Sequence, residues 1–224
     1  MERGAVLGCG DTYLKGMNRL EVVALSKRFG FRRLFEGLSF TITAGQTLAV
    51  TGPNGSGKST LLRMLAGVLR PTRGEVRLQV GGRWIEADDR PFYVGLAAPY
   101  LQLYEGFTAR ENLAFLARAR GLADGDRRVA YWLERIGLQA FADEPVAIFS
   151  SGMRQRLRLA AALLADPPLW LLDEPRSNLD EAGRRLVEAL LEEAREKGRL
   201  VVLATNDVDE AATCMQQIDL RAFR

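Results

Sequence analysis

The stretch GPNGSGKST, residues 52–60, constrains this chain more than any other. It satisfies the pattern G-x-x-x-x-G-K-[ST] and lies directly between an apolar strand-like run, TLAV, and an apolar helix-like run, LLRMLAGVL. Gly52, Gly55 and Gly57 let the backbone fold back without Cβ clashes. Together with Pro53, Asn54 and Ser56 they form a loop whose N–H groups can point inward at phosphate oxygens. The following helix adds its dipole. Lys58 offers a cation to the β and γ phosphates, Ser59 offers a hydroxyl to a magnesium ion, and Thr60 ends the motif. The expected ligand is a nucleoside triphosphate with Mg²⁺.

A strand–loop–helix of this kind needs a parallel sheet to sit in, and the 224 residues, 47% of them hydrophobic, suffice for one α/β domain with a lobe. Strand-like runs fall at about 19–25, 37–43, 47–51, 74–80, 91–95, 169–172, 199–204 and 217–222. Helical patterns fall at about 58–68, 109–120, 126–136, 152–165, 181–197 and 207–215. The front is strand-rich, the middle helical, and the end alternates. That order predicts an α/β core over residues 17–224 with an antiparallel β layer at its front and a helical subdomain inserted at about 100–155. Residues 1–16 show no strand or helix periodicity and no signal-peptide pattern, and are read as a disordered tail or an effect of start-site choice before Met17.

Charge and composition exclude several classes. The net charge is +3 and the basic residues are scattered, so no nucleic-acid partner is expected. No run reaches the roughly 18 apolar residues of a membrane-spanning helix. Cys9 and Cys214 are too far apart in sequence for a metal or redox motif, which suits a reducing compartment.

A second motif complements the loop. LWLLDEP, residues 169–175, is a buried parallel strand in pattern and ends in two carboxylates. Asp173 is placed to bind magnesium, and Glu174 is the natural group to orient and deprotonate an attacking water.

Between these motifs lies FSSGMRQRLRLAAALL, residues 149–164. The ordered set of phosphate loop, Ser-x-Gly before an Arg-Gln-Arg helix, the Asp-Glu strand end and SNLD at 177–180 resembles the ATP-binding subunit of ABC transporters, over roughly residues 19–220. The resemblance implies a P-loop NTPase fold, RecA-like, with a mixed-sheet core, an antiparallel β subdomain and an α-helical subdomain. It further implies an ATPase with ATP and Mg²⁺ as cofactors, working as a head-to-tail dimer. FSSGM is similar to the family signature, with Ser150 and Gly152 kept at the phosphate-touching places and Ser151 and Met153 departing from the pattern. In the family this element closes on the γ-phosphate held by the partner copy. SNLD resembles the D-loop, in which Asp180 would position the opposite site. SKRFG, residues 26–30, resembles the loop whose aromatic ring stacks on adenine, with Phe29 as the candidate and Phe31 or Phe35 as alternatives.

Two departures mark a divergent branch. The chain has no histidine, and Asn206, in LATNDVDEA, stands where the family carries one facing the terminal phosphate. An asparagine amide can donate a hydrogen bond there but cannot shuttle a proton. The family's magnesium-linking glutamine is also missing: Ala98 or Pro99 occupies its place, with Gln102 a possible substitute. Around it, Pro99, Tyr100, Leu103, Tyr104 and Phe107 form either a groove for a partner helix or part of the helical subdomain's own core.

The resemblance makes the chain an ATP-binding and ATP-hydrolysing subunit, of an exporter-type, haem-exporter-like subset. Its expected partners are a second copy or a paralogous ATPase and an integral membrane permease, and it would sit in the cytoplasm at the inner face of the membrane. The alternatives are a non-transport ATPase of the same class or a nucleotide-binding module with little turnover. Nothing in the residues names a cargo.

Overall fold

The computed structural model describes residues 18–224; the expected tail at 1–16, with Cys9 and Met17, lies outside the described residues. The chain opens with a long hairpin, β1 (Arg19–Phe29) and β2 (Arg32–Thr43), paired from Arg19 opposite Thr43 to Phe29 opposite Arg32 with register shifts between Val22 and Arg28. Next come β3 (Thr47–Thr51), helix α1 (Lys58–Leu65), β4 (Arg73–Val80) and β5 (Arg83–Ile85). Strands β2, β1, β4 and β5 form an antiparallel sheet in that order. After β6 (Val94–Ala97) the chain is helical, with α2 (Ala109–Ala119), α3 (Gly125–Arg135) and α4 (Ser151–Leu163). It returns through β7 (Leu169–Asp173), α5 (Glu181–Glu196), β8 (Leu200–Ala204), α6 (Val208–Ala212) and β9 (Gln216–Asp219). The second sheet, ordered β6-β7-β8-β3-β9, is parallel at every pairing, so the two strand senses are divided between two sheets.

Side-chain alternation along these strands builds the cores. Leu169, Leu171, Leu200, Val202 and Ala204 point to one face, where they meet α1 and the antiparallel sheet. Trp170, Leu172, Val201 and Leu203 point to the other, where they meet α4, α5 and, through Leu113, Trp132 and Leu133, the helical segment. Both faces of β7 and β8 are therefore covered, which is why LWLLD and LVVLA are apolar without interruption except at the final carboxylate. The carboxyl ends of β3, β7 and β8 converge, and in open parallel sheets that edge is where ligands bind.

Several element bounds differ from the sequence reading for local reasons. The strand expected at 91–95 starts at Val94, because Arg90–Tyr93 makes a 3-10 turn with Pro91 in its first turn and Arg90 buried, donating to the carbonyls of Met64 (3.2 Å) and Val76 (2.7 Å). The strand expected at 217–222 ends at Asp219, whose carboxylate accepts from the Arg221 N–H at 2.8 Å and starts a 3-10 turn. The short β5 has too few residues to show alternation. Helix α2 begins as TARE reads, with a capping box between Thr108 and Glu111.

Candidate functional site

The phosphate loop joins β3 to α1, and its last glycine explains its chemistry. Gly57 has φ +107°, which strains any side chain, and a Cβ there would also press on the Phe35 ring at 3.3 Å. Phe35 is thereby assigned to the core, fully buried beneath the loop, and is removed from the candidates for base stacking. Phe29 and Phe31 flank the turn of the β1–β2 hairpin and are exposed, Phe29 by half and Phe31 entirely. The hairpin reaches the loop directly, since Arg32 Nη2 donates to the Gly55 carbonyl at 3.3 Å.

Lys58 is 7% exposed. Its Nζ donates to the Gly52 carbonyl at 2.8 Å and to Asn206 Oδ1 at 2.7 Å, and lies 4.0 Å from Glu174 Oε1. Asn206 in turn donates its Nδ2 to Asn54 Oδ1 at 2.8 Å. The amide that replaces the expected histidine thus bridges the loop's lysine and its Asn54. Its backbone N–H does something separate, hydrogen-bonding the Glu174 carboxylate.

Asp173 ends β7 and Glu174 is the next residue. Asp173 is buried, and burial pushes its carboxyl pKa up, against the Ser59 hydroxyl that hydrogen-bonds it and the nearby Lys58. Glu174 adopts φ +49°, a left-handed conformation unusual for a non-glycine, and its N–H donates to the Ala204 carbonyl at 2.8 Å. Burial raises its pKa too; the Asn206 N–H and Lys58 lower it, and Asp173 and Asp207 raise it. Ser59 and Asp173 form an all-oxygen donor set of one hydroxyl and one carboxylate. That set fits Mg²⁺, a hard cation that keeps most of its ligands as water and phosphate oxygens. Among the described residues no cluster of three or more His, Cys, Asp or Glu forms an all-protein metal cage.

Ser150 and Asp180 each cap a helix. Ser150 Oγ accepts from Met153 N–H at 3.2 Å and opens α4, and Asp180 Oδ1 accepts from Gly183 N–H at 2.8 Å and opens α5. Both are exposed. Among the described residues no hydrogen bond joins Ser150 or Gly152 to the phosphate loop of the same chain. They are tied instead to the segment after Glu174. A Cβ on Gly152 would stand 2.9 Å from the Asn178 carbonyl, so that position admits glycine alone, and Gln155 Nε2 donates to the carbonyls of Glu174 (3.3 Å) and Pro175 (3.2 Å).

With this geometry in view, the chain's relatives decide its family. A profile of the family described as ABC transporter matches residues 35–177. The chain is 41% identical over 195 residues to the cytochrome c biogenesis ATP-binding export protein CcmA of Pseudomonas putida, covering 84% of this chain and 89% of that one. The chain belongs to the ABC transporter family. Within the family it is also 38% identical over 196 residues to the Nod factor export ATP-binding protein I of Ralstonia nicotianae, covering 86% of this chain and 60% of that protein. Its fold matches a solved ATP-binding subunit of an ABC transporter with a TM-score of 0.80 at 28% identity, covering 89% of this chain and 85% of that one. It also matches a dimeric ATP-binding cassette in a post-hydrolysis state bound to ADP and Pi with a TM-score of 0.78 at 26% identity, covering 89% and 93%. No helix among the described residues is long and apolar enough to cross a membrane.

Several residues of this ABC cassette carry no motif signal. Gln102 is exposed, and what stands beside the site from that loop is Tyr100, with the Arg63 guanidinium 3.9 Å from its ring centroid. Of the aromatic and apolar residues noted nearby, Leu103 packs on the helical core, whereas Tyr104 and Phe107 are exposed and cluster with Phe115 at 5.2–5.5 Å. Arg176, in the place after Pro175, pairs with Glu188 at 2.6 Å and lies 3.7 Å from Glu210 Oε1, which is buried and lacks a hydrogen bond. Burial pushes the Glu210 pKa above its ordinary 4.5; Thr205 and Arg176 oppose this, and Glu174 and Asp207 reinforce it.

A raised pKa means that the folded state binds the proton more tightly than the unfolded state. The ionised Glu210 therefore destabilises the fold above its folded pKa, and that cost is relieved as pH falls through this value toward 4.5. Glu210→Gln is expected to be more stable than the wild type at pH 7.5, with the gain shrinking at pH 5, in urea unfolding at the two pH values. A gain independent of pH, or a loss at pH 7.5, would contradict the burial cause.

Proposed function

We propose that this protein is the ATP-hydrolysing subunit of an ABC exporter and that it works as a head-to-tail dimer beside a separate membrane permease. The observation that carries the reading is the split of one site over two regions of the chain. Lys58, Ser59, Asp173, Glu174 and Asn206 converge at the ends of β3, β7 and β8, while Ser150 and Gly152 stand apart on α4. A second copy turned end over end supplies the missing half, with Asp180 and the Asn178 carbonyl along the seam.

In this reading the loop from Gly52 to Thr60 cradles the phosphates and Phe29 stacks on the adenine. Lys58 meets the β and γ oxygens. Ser59 and Asp173 would hold Mg²⁺, which when bound neutralises charge on the phosphate oxygens. Glu174, held by the Asn206 N–H, takes the proton from the attacking water. Its raised pKa makes it a better base than a surface carboxylate. The Asn206 amide senses the γ-phosphate and positions it without proton transfer. The exposed cluster of Tyr104, Phe107 and Phe115 on the helical segment is the apolar surface offered to the permease. The export system is of the kind named for the cytochrome c biogenesis relatives, and the subunit works on the cytoplasmic side of the membrane.

Because each site needs two copies, the total rate of MgATP turnover is expected to approach second-order dependence on protein concentration in a dilution series, so that turnover per chain rises in proportion to concentration when the protein is dilute. Turnover per chain that stays flat on dilution to nanomolar levels would count against the shared site. Turnover with no integral membrane protein co-purifying from native membranes would favour a non-transport ATPase.

A further inference from the structure

Tyr100 is held in a tight turn, Ala98–Leu101, closed by the Leu101 N–H donating to the Ala98 carbonyl at 3.0 Å. Pro99 at the second position presets φ for such a turn. The turn leaves β6, and β6 pairs in parallel with β7, the strand that ends in Asp173. Two arginines from different helices fasten it. Arg63 of α1 lies over the Tyr100 ring, and Arg158 of α4 donates its Nε to the Leu101 carbonyl at 3.1 Å.

So anchored, the phenol presents a hydroxyl that is closed off from bulk water and is reached by Arg63; a guanidinium only donates, so the hydroxyl's own proton has no acceptor within the protein. A buried O–H left without an acceptor is costly, and such a group in a native protein points to an acceptor supplied from outside the chain. Its electrostatic surroundings say which ligand. Burial raises the Tyr100 pKa, the hydrogen bond and charge of Arg63 lower it and the charge of Asp173 raises it, while Arg63 also acts on Asp173. Tyr100, Arg63 and Asp173 therefore share one neighbourhood at the carboxylate end of β7, where Ser59 hydrogen-bonds Asp173. A phenol is a neutral donor, and the neighbours whose charge reaches it there, Asp173 with Ser59 on it, are oxygen ligands.

We propose that the Tyr100 hydroxyl, anchored by Arg63, donates a hydrogen bond to an oxygen in the shell of the bound Mg²⁺ and so positions the metal end of the nucleotide. This rests on the reading of Ser59 and Asp173 as the residues that hold Mg²⁺. The residue takes over a link that the chain otherwise lacks, since Ala98 and Pro99 have no side-chain donor and Gln102 is exposed. Through Leu101 and Arg158 the same turn is tied to α4, so the metal end of one half-site and the helix carrying Ser150 are fastened to one four-residue segment.

Tyr100→Phe tests this cleanly, because the ring stays beneath Arg63 and one oxygen is lost. Binding of a fluorescent ATP analogue is measured in EDTA and across a Mg²⁺ titration. Affinity in EDTA is expected to be unchanged, while the Mg²⁺ concentration for half-maximal tightening rises about tenfold, the effect of one hydrogen bond to a charged cluster. Arg63→Leu, which removes the anchor and leaves the phenol, is expected to shift the titration in the same direction. Superimposable Mg²⁺ titrations for wild type and Tyr100→Phe overturn the proposal and leave the site assignment standing. If Mg²⁺ does not tighten binding even in the wild type, the assignment of Ser59 and Asp173 falls and the proposal with it.

Discussion

Glu174→Gln is expected to lower MgATP turnover about a thousandfold while leaving ATP binding intact, the size expected for loss of a general base. Glutamine keeps the volume and the hydrogen bond from the Asn206 N–H but cannot take a proton. The variant should accumulate as an ATP-bound dimer on size exclusion, because closure needs phosphate contacts and reopening needs hydrolysis. Asn206→Ala provides the contrast. It removes the side-chain bridge between Lys58 and Asn54 but keeps the backbone N–H that holds Glu174, so a loss of about tenfold is expected. The reverse ranking, with Glu174→Gln active and Asn206→Ala dead, would show that the roles are wrongly assigned.

Lys58→Ala is expected to weaken ATP binding by about a hundredfold or more, and turnover goes with it. The cause is a triple loss. The cation for the phosphates disappears, the Gly52 carbonyl loses its donor, and Asn206 loses one of its two ties to the phosphate loop. Lys58→Arg should not rescue, since a planar guanidinium does not fit a cradle built to hold a compact ammonium 2.8 Å from a backbone carbonyl. The fold itself should survive. Glu174, 4.0 Å from Lys58, is 30% exposed and is not left as a fully buried charge, and removing the nearly buried ammonium relieves its own desolvation. Thermal unfolding close to wild type together with lost binding of a fluorescent ATP analogue is the expected pair of results. Retained binding would remove Lys58 from the site.

Much of the architecture was legible along the chain because its signals are local. Uninterrupted apolar runs in β7 and β8 and the capping box at Thr108 each follow from the nearest neighbours, whereas β1 and β2, read at 19–25 and 37–43, extend to Phe29 and back to Arg32 across register shifts that break the alternation. Bounds failed where a distant partner decides them. Arg90 turns the segment before β6 into a 3-10 turn because it is needed by the carbonyls of Met64 and Val76, which no window around residue 90 contains. The same holds within the site. Phe29, Phe31 and Phe35 look alike as a cluster of rings, and only packing beneath Gly57 withdraws Phe35 from the ligand side. Arg176, Glu210 and Tyr100 belong to no motif, since each matters through burial or through a neighbour more than thirty positions away.

The sequence by itself determined the chemistry: a glycine loop ending in Lys58 and Ser59, a strand ending in Asp173 and Glu174, and an asparagine in place of a histidine are each readable as consecutive residues, because phosphate and metal binding demand particular atoms at fixed short spacings. Tertiary structure alone decided how those pieces meet. It spent the two arms of Asn206 on Lys58 and Asn54, set Gly152 against the Asn178 carbonyl, and buried the Tyr100 hydroxyl beside Arg63 with no acceptor for its proton. Those are contacts across long loops, where the physical cost of a misplaced or unpaired polar group is felt in three dimensions and leaves no periodic trace in the chain.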